Sequence, residues 1–298
     1  MKILVTGSNG FVGSHVVNQL LHDGYEVFAT SLSADLSKFQ SYKNYHFLQT
    51  DLLSAYAIQD AFELIKPDVV VHCAAMSKPD ECELRQADAY AMNVEATVQL
   101  LLNAAEYKSH FIHLSTDFIF NGEEGNHKED DAPAPLSYYG RTKLEAEDAV
   151  KEYEYDWAII RTVFVYGKTL HGRDSFIGMI AKKLKNNEQY KVVNDQERTP
   201  TYVSDLAKGI SEIIKRKASG IFHLCGKNIL TPYQMAVKTA ETLGITYEKL
   251  LTPVTCKEFK EIAKRPLKSG LSIEKARHEL GYEPLSFDEG LRRTLQNP

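Results

Sequence analysis

The N-terminal stretch MKILVTGSNGFVGSHVVNQLL constrains the fold more than any other part of the chain. An apolar, β-branched run ends at Thr6. Gly7, Gly10 and Gly13 then fall within one turn, ahead of an amphipathic segment closed by Gly24. Glycine weakens a regular element and is useful where backbone must turn sharply or approach another group. Strand, glycine turn and helix in that order aim bare N–H groups and the positive end of a helix dipole outward, which suits a phosphate. The spacing G-x-x-G-x-x-G is shifted by one residue from the G-x-G-x-x-G dinucleotide fingerprint and serves the same purpose. A purely structural turn does not explain why all three glycines sit together.

Downstream, short β-branched runs alternate with longer amphipathic ones. YEVFATS, YHFLQTDL, DVVVHCAA, HFIHLST and WAIIRTVFVYG predict strands, the third a continuous apolar run of the kind buried on both faces. AYAIQDAFELIK, ADAYAMNVEATVQLLLNAAEY and YYGRTKLEAEDAVKEY predict helices, the first broken by Pro67. This rhythm means crossover units and an α/β fold, a doubly wound parallel sheet of Rossmann type with helices on both faces. After about residue 167 the rhythm loosens. We divide the chain into a dinucleotide-binding part, 1–167, and a smaller C-terminal substrate lobe, 168–298, with 203–225 placed to return to the main sheet.

Composition excludes several functions. The 298 residues are 43% hydrophobic and carry a net charge of −5 with Lys and Arg scattered, which argues against nucleic acid. Cys73, Cys82, Cys225 and Cys256 form no CxxC and have no His at metal spacing, so they read as reduced thiols of a cytoplasmic protein. The apolar start is too short for a signal peptide, and no run approaches the ~20 residues of a membrane span. His110 and His113, three apart on a strand, face opposite sides, and no metal is expected.

Chemistry enters with STDFIFNG and YYGRTK. Tyr139 and Lys143 are four apart and share a helix face. A phenol, with a reference pKa near 10, is a poor acid at neutral pH, and a neighbouring ammonium is expected to lower that value. The pair then makes a workable proton donor; taken alone, its spacing also suits an ordinary surface pair. Thr116, ending the strand that starts at His110, can offer a hydroxyl to the same substrate oxygen. The acid expected about 20 residues after the glycines is missing, and Thr30, Ser31 and Ser33 stand there instead. That favours NADP(H) over NAD(H), although no Arg is present to clasp a 2′-phosphate. Asp51 has two accounts, a contact to the adenine edge or a helix N-cap. Asp80 and Glu83, at a helix start, read as acids favoured by the helix dipole.

These residues, with HCAA, NVEAT, YGRTKLEAE, RTVFVYG, DQERTPTYVSDLA and RPLKSGLS, resemble the extended short-chain dehydrogenase/reductase family, and most of all its dTDP-4-dehydrorhamnose reductase branch. The likeness runs nearly the full chain. It implies that Thr116, Tyr139 and Lys143 are catalytic, Tyr139 protonating a sugar C4 ketone as hydride arrives and Lys143 also gripping the nicotinamide ribose. It implies that Gly7, Asn9, Gly10, Phe11, Val12 and Gly13 line the pyrophosphate, Asp51 and Leu52 meet adenine, and Ala74, Ala75 and Met76 meet the adjacent ribose. Ser31 joins this cofactor set, and so does Asn93, which would hold the geometry. Thr116, Asp117, Val163, Phe164, Arg198, Thr201 and Arg265 would face a nucleotide-sugar.

Two departures stand out. Phe164 occupies a position where family members often carry Trp, and Arg198 one where they usually have Gly. Arg198 would meet a phosphate or carboxylate, or lie on the surface. Asp117 is followed by Phe118 rather than by the acid that dehydrating relatives use, so C5 proton abstraction is not expected, and Asp117 also reads as a strand-end acceptor. A reductase, a nucleotide-sugar epimerase and a non-catalytic regulatory subunit remain the functions to compare, and a homodimer is one assembly compatible with each.

Overall fold

The computed structural model describes residues 1–171, 174–259 and 261–296. The first half runs β1 (Lys2–Thr6), α1 (Phe11–His22), β2 (Glu26–Ser31), β3 (Tyr45–Gln49), α2 (Ala55–Ile65), β4 (Val69–His72), α3 (Pro79–Leu84), α4 (Gln86–Tyr90), α5 (Ala96–Glu106), β5 (His110–Thr116), α6 (Tyr138–Lys151) and β6 (Trp157–Thr162). The second runs β7 (Val165–Tyr166), α7 (Phe176–Lys185), β8 (Tyr190–Val193), β9 (Thr201–Tyr202), α8 (Val203–Arg216), β10 (Gly220–His223), α9 (Pro232–Leu243), β11 (Leu251–Val254), α10 (Cys256–Phe259), α11 (Glu274–Leu280) and α12 (Phe287–Leu295).

Seven strands lie side by side in the order β10, β6, β5, β4, β1, β2, β3, every pairing parallel. Successive residues of a strand point to opposite faces, and here both faces are apolar. Ile3, Val5, Val71 and Ile160 pack against Val17 and Leu20 of α1 and Ile210 and Ile213 of α8. Leu4, Val70, Phe111 and Ile159 pack against Phe62 of α2, Leu100 of α5 and Val150 of α6. Burying side chains of this size stabilises by roughly 1.5–3 kcal/mol each, which is why the apolar runs form the sheet centre. The order reverses between β1 and β4. Ligands of open α/β sheets bind in the crevice beyond the strand ends at such a point. Thr6 is level with His72 and Thr30 there, and Thr116 with Thr162.

Residues 203–216 form α8, which lies against α1, and β10 pairs with β6 in register Ile221 to Ile159. Outside the sheet, β8 pairs with β11, and Ile180, Leu184, Ala236 and Ala240 of α7 and α9 pack with Val192 and Leu251. Two expectations need correction. WAIIRTVFVYG is not one strand: β6 stops at Thr162, Phe164 takes a left-handed φ of 41°, and β7 leaves to pair with β9. The long helix predicted from residue 87 is interrupted by a π-turn over Ala91–Glu95. Among the described residues no helix is long and apolar enough to cross a membrane.

Candidate active site

The strand ends open onto a cavity of about 970 Å³, walled by the glycine turn, β2, the loop after β4, the end of β5, α6 and the C-terminal residues around Arg265. The end beside the glycine turn is built from backbone. Gly7, with φ of 66°, lets the chain turn directly over Ala74: a Cβ there would stand 2.8 Å from the Ala74 backbone. At Gly13 a Cβ would stand 2.2 Å from the Gly7 carbonyl oxygen. Gly10 begins α1 with no side-chain cap, and the first turn holds no acid. The exposed N–H groups there fit an anionic pyrophosphate. Gly7, Gly10, Phe11, Val12 and Gly13 all line the cavity, as do Ser31, Asp51, Leu52, Ala74, Ala75 and Met76.

Asn9 does not line it. Its amide donates to Ser33 Oγ at 2.9 Å and the Ala34 carbonyl at 2.8 Å, and accepts from Leu36 N–H. It ties the glycine turn to the loop after β2 instead. Asp51 is not a helix cap: Ser54 caps α2, and the Asp51 carboxylate accepts from Leu53 N–H at 3.0 Å.

The other end of the cavity is assembled by α6. Ser137 caps this helix, accepting from Gly140 N–H, and the Glu83 carboxylate accepts from Tyr138 N–H at 2.7 Å. A Cβ on Gly140 would stand 2.2 Å from the Phe118 carbonyl oxygen, so glycine alone lets α6 press onto the turn after β5. That contact brings Tyr139 to Thr116. The phenol is buried, its ring edge-on to Phe118 at 5.5 Å, and Thr116, whose hydroxyl donates to Asp117 Oδ1 at 3.1 Å, lies close enough to oppose the effect of burial on it. The expected lowering of the phenol pKa does not occur in this state. Burial raises it more than Thr116 lowers it. Lys143 itself is buried, with its pKa pushed down to about 8 by desolvation against the pull of Glu147 and Cys73. Its Nζ donates to His113 Nε2 at 2.9 Å.

Asn93 lies one layer back. Its Oδ1 accepts from Met76 N–H at 2.8 Å, and its Nδ2 donates to the Met76 carbonyl and to Thr142 Oγ1. The π-turn sets this side chain between the Met76 loop and α6, a use typical of such turns. Asp117 is buried and raised in pKa by desolvation, and its Oδ2 has no partner.

At the substrate end Thr116, Asp117, Phe164, Arg198 and Arg265 line the cavity. Val163 and Thr201 do not. Both are fully buried, the Thr201 hydroxyl donating to the Val163 carbonyl at 2.6 Å. They hold the split between β6 and β7. Arg198 does not lie on the surface; it lines the cavity, where the Asp117 carboxylate supports its charge. It is buried, and its guanidinium is taken up by the Glu197 and Pro266 carbonyls and by Gln196 Oε1. Arg265 is paired with Asp80 at 3.3 Å and with Glu261.

Sequence reasoning missed the work of the PDECE acids. Asp80 also accepts from Ala263 N–H at 3.0 Å, linking α3 to the far wall, and Glu83 anchors the N-terminus of α6. Their i, i+3 spacing at a helix start was visible, but both partners lie far away in the chain. It also missed His113.

A sequence model of the RmlD substrate binding domain matches residues 1–298. The spore coat polysaccharide biosynthesis protein SpsK of Bacillus subtilis is 31% identical over 99% of this chain and 97% of its own. A dTDP-4-dehydrorhamnose reductase structure from Clostridium acetobutylicum has a TM-score of 0.85 at 32% identity, covering 99% of this chain and 98% of that one. A Bacillus anthracis dTDP-4-dehydrorhamnose reductase in complex with NADP has a TM-score of 0.87 at 26% identity, covering 98% of each chain.

Proposed function

The chain belongs to the RmlD substrate binding domain family, and on that premise we propose that it reduces the 4-keto group of a nucleotide-linked sugar with NADPH. One observation carries this reading. Tyr139 is buried in a cleft that also holds a glycine-lined helix N-terminus, and Thr116 lines the same cleft, with Lys143 one turn along the helix. The reduced nicotinamide, when bound, supplies hydride.

The protein's own groups do the rest. The first turn of α1 receives the pyrophosphate. Thr116 and Tyr139 hold the ketone oxygen, and Tyr139 gives its proton as negative charge develops on that oxygen. Lys143 then faces a phenolate, and its positive charge stabilises it. Burial raises the resting phenol, so the proton stays on oxygen until the alkoxide needs it. NADPH is favoured over NADH because Thr30, Ser31 and Leu32 line the end of β2 without a carboxylate to repel a 2′-phosphate.

The test is a panel of nucleotide-linked 4-keto-sugars with NADPH oxidation followed by absorbance. Stoichiometric oxidation is expected. Conversion without net oxidation would mean an epimerase, and no conversion would remove the enzyme reading. Tyr139→Phe should lower turnover by the ~10²–10⁴-fold typical of a lost general acid, with cofactor affinity little changed. Unaltered turnover would refute the mechanism.

A further inference from the structure

His113, the middle residue of β5, is fully buried behind the cavity, with its Nε2 2.9 Å from Lys143 Nζ. An ammonium has three donors and no acceptor. His113 Nε2 therefore carries no proton, and the ring is the neutral Nδ1–H tautomer. Burial, the Lys143 charge and His72 all keep it neutral.

Its neighbour His72 is set by a separate chain of hydrogen bonds. Thr97 Oγ1 donates to the Asn93 carbonyl at 2.8 Å, so it accepts from His72 Nε2 at 3.1 Å. His72 Nδ1 then accepts from Thr6 Oγ1 at 2.7 Å. The His72 and His113 rings lie 5.4 Å apart, and two neutral rings stand behind one cation.

We propose that His113 is a positioning residue for Lys143: it takes one N–H of the ammonium and leaves the other two for Tyr139 and the ribose of a bound pyridine nucleotide. The inference rests on the role given to Lys143 above. A neutral acceptor holds the side chain without cancelling its charge, which a carboxylate at that distance would do. The groups facing Lys143 are His113 from β5, His72 and Cys73 from the end of β4, and Glu147 from its own helix, with Tyr139 one turn before it in the same cavity wall. Glu147 is engaged elsewhere, with Arg161 at 2.8 Å and Ser115 at 2.6 Å.

NADPH affinity, read by nucleotide fluorescence across pH, tests this without requiring turnover. The wild-type protein should lose affinity as pH rises through about 8 and Lys143 deprotonates. His113→Leu removes the acceptor, and the loss should begin about one pH unit lower, as expected when a charge-assisted hydrogen bond disappears. His113→Gln restores a carbonyl acceptor and should return the profile toward wild type. Should His113→Leu not fold, His113→Asn, with a shorter reach, replaces it with the same expected shift. An unmoved profile in the Leu or Asn variant, or one equally displaced in the Gln variant, overturns the inference. If the profiles shift as expected while no keto-sugar consumes NADPH, the proposed function fails and this inference stands. A chain that binds neither NADPH nor NADH overturns both.

Discussion

Gly13 and Gly140 do similar work at opposite walls of the cleft. Each lets a helix approach a carbonyl oxygen more closely than any side chain permits, with a Cβ 2.2 Å from that oxygen in either place. Gly13→Ala should therefore displace the glycine turn. Overpacking of this kind costs roughly 1–3 kcal/mol, and calorimetry should find weakened NADPH binding; equal affinity would remove the turn from the cofactor site. Gly13 was legible because its partners lie in the same turn. Gly140 was not, because Phe118 comes 22 positions earlier and no local spacing connects the two. The burial of Arg198 was hidden for a related reason: among its acceptors is the carbonyl of Pro266, far along the chain, and backbone acceptors leave no mark in composition.

Helix α3 is six residues long and would contribute little alone, yet it fastens two walls of the cleft. Glu83 holds the N-terminus of α6, while Asp80 reaches Ala263 and Arg265. Glu83→Ala leaves the Tyr138 N–H without its charged partner, and a lost bond of that type is worth about 1.5–3 kcal/mol. Steady-state kinetics should show kcat falling more than the KM for NADPH rises, with Glu83→Gln restoring part of it; an unchanged kcat would leave Glu83 no part in holding Tyr139. At this scale the strands and helices of the first half were readable, because β-branched runs and helical periodicity are local properties. The π-turn and the break at Phe164 were not. Both keep the surrounding residue pattern and arise from contacts made across the fold, Asn93 to Met76 and Thr201 to Val163.

The whole molecule buries several histidines as neutral rings. His72 and His223 are each lowered from 6.5 to about 3, first by burial, then by Lys143 and Arg161 respectively. Between those values the unfolded chain binds protons that the folded chain does not, so stability falls as pH drops below 6.5. Each ring contributes a loss of roughly 2 kcal/mol by pH 5. Urea melts at pH 7 and pH 5 should show it, and His223→Gln should shrink the difference by roughly the 2 kcal/mol of one ring while leaving the His72 share; an undiminished difference in the variant would mean that His223 takes no part in it. The parallel sheet itself was legible from alternation, and so was the suspicion that residues 203–225 rejoin it, since SDLAKGISEIIKR repeats the helix signal and GIFHLCG the strand signal. The pairing of β10 with β6 has an engineering consequence. A fragment ending near residue 167 would present Ala158–Arg161 as a raw sheet margin open to neighbouring chains. Such a truncation should precipitate rather than persist as a free nucleotide-binding unit, so specificity in this scaffold has to be altered by substitution within the intact polypeptide, not by grafting one half onto another.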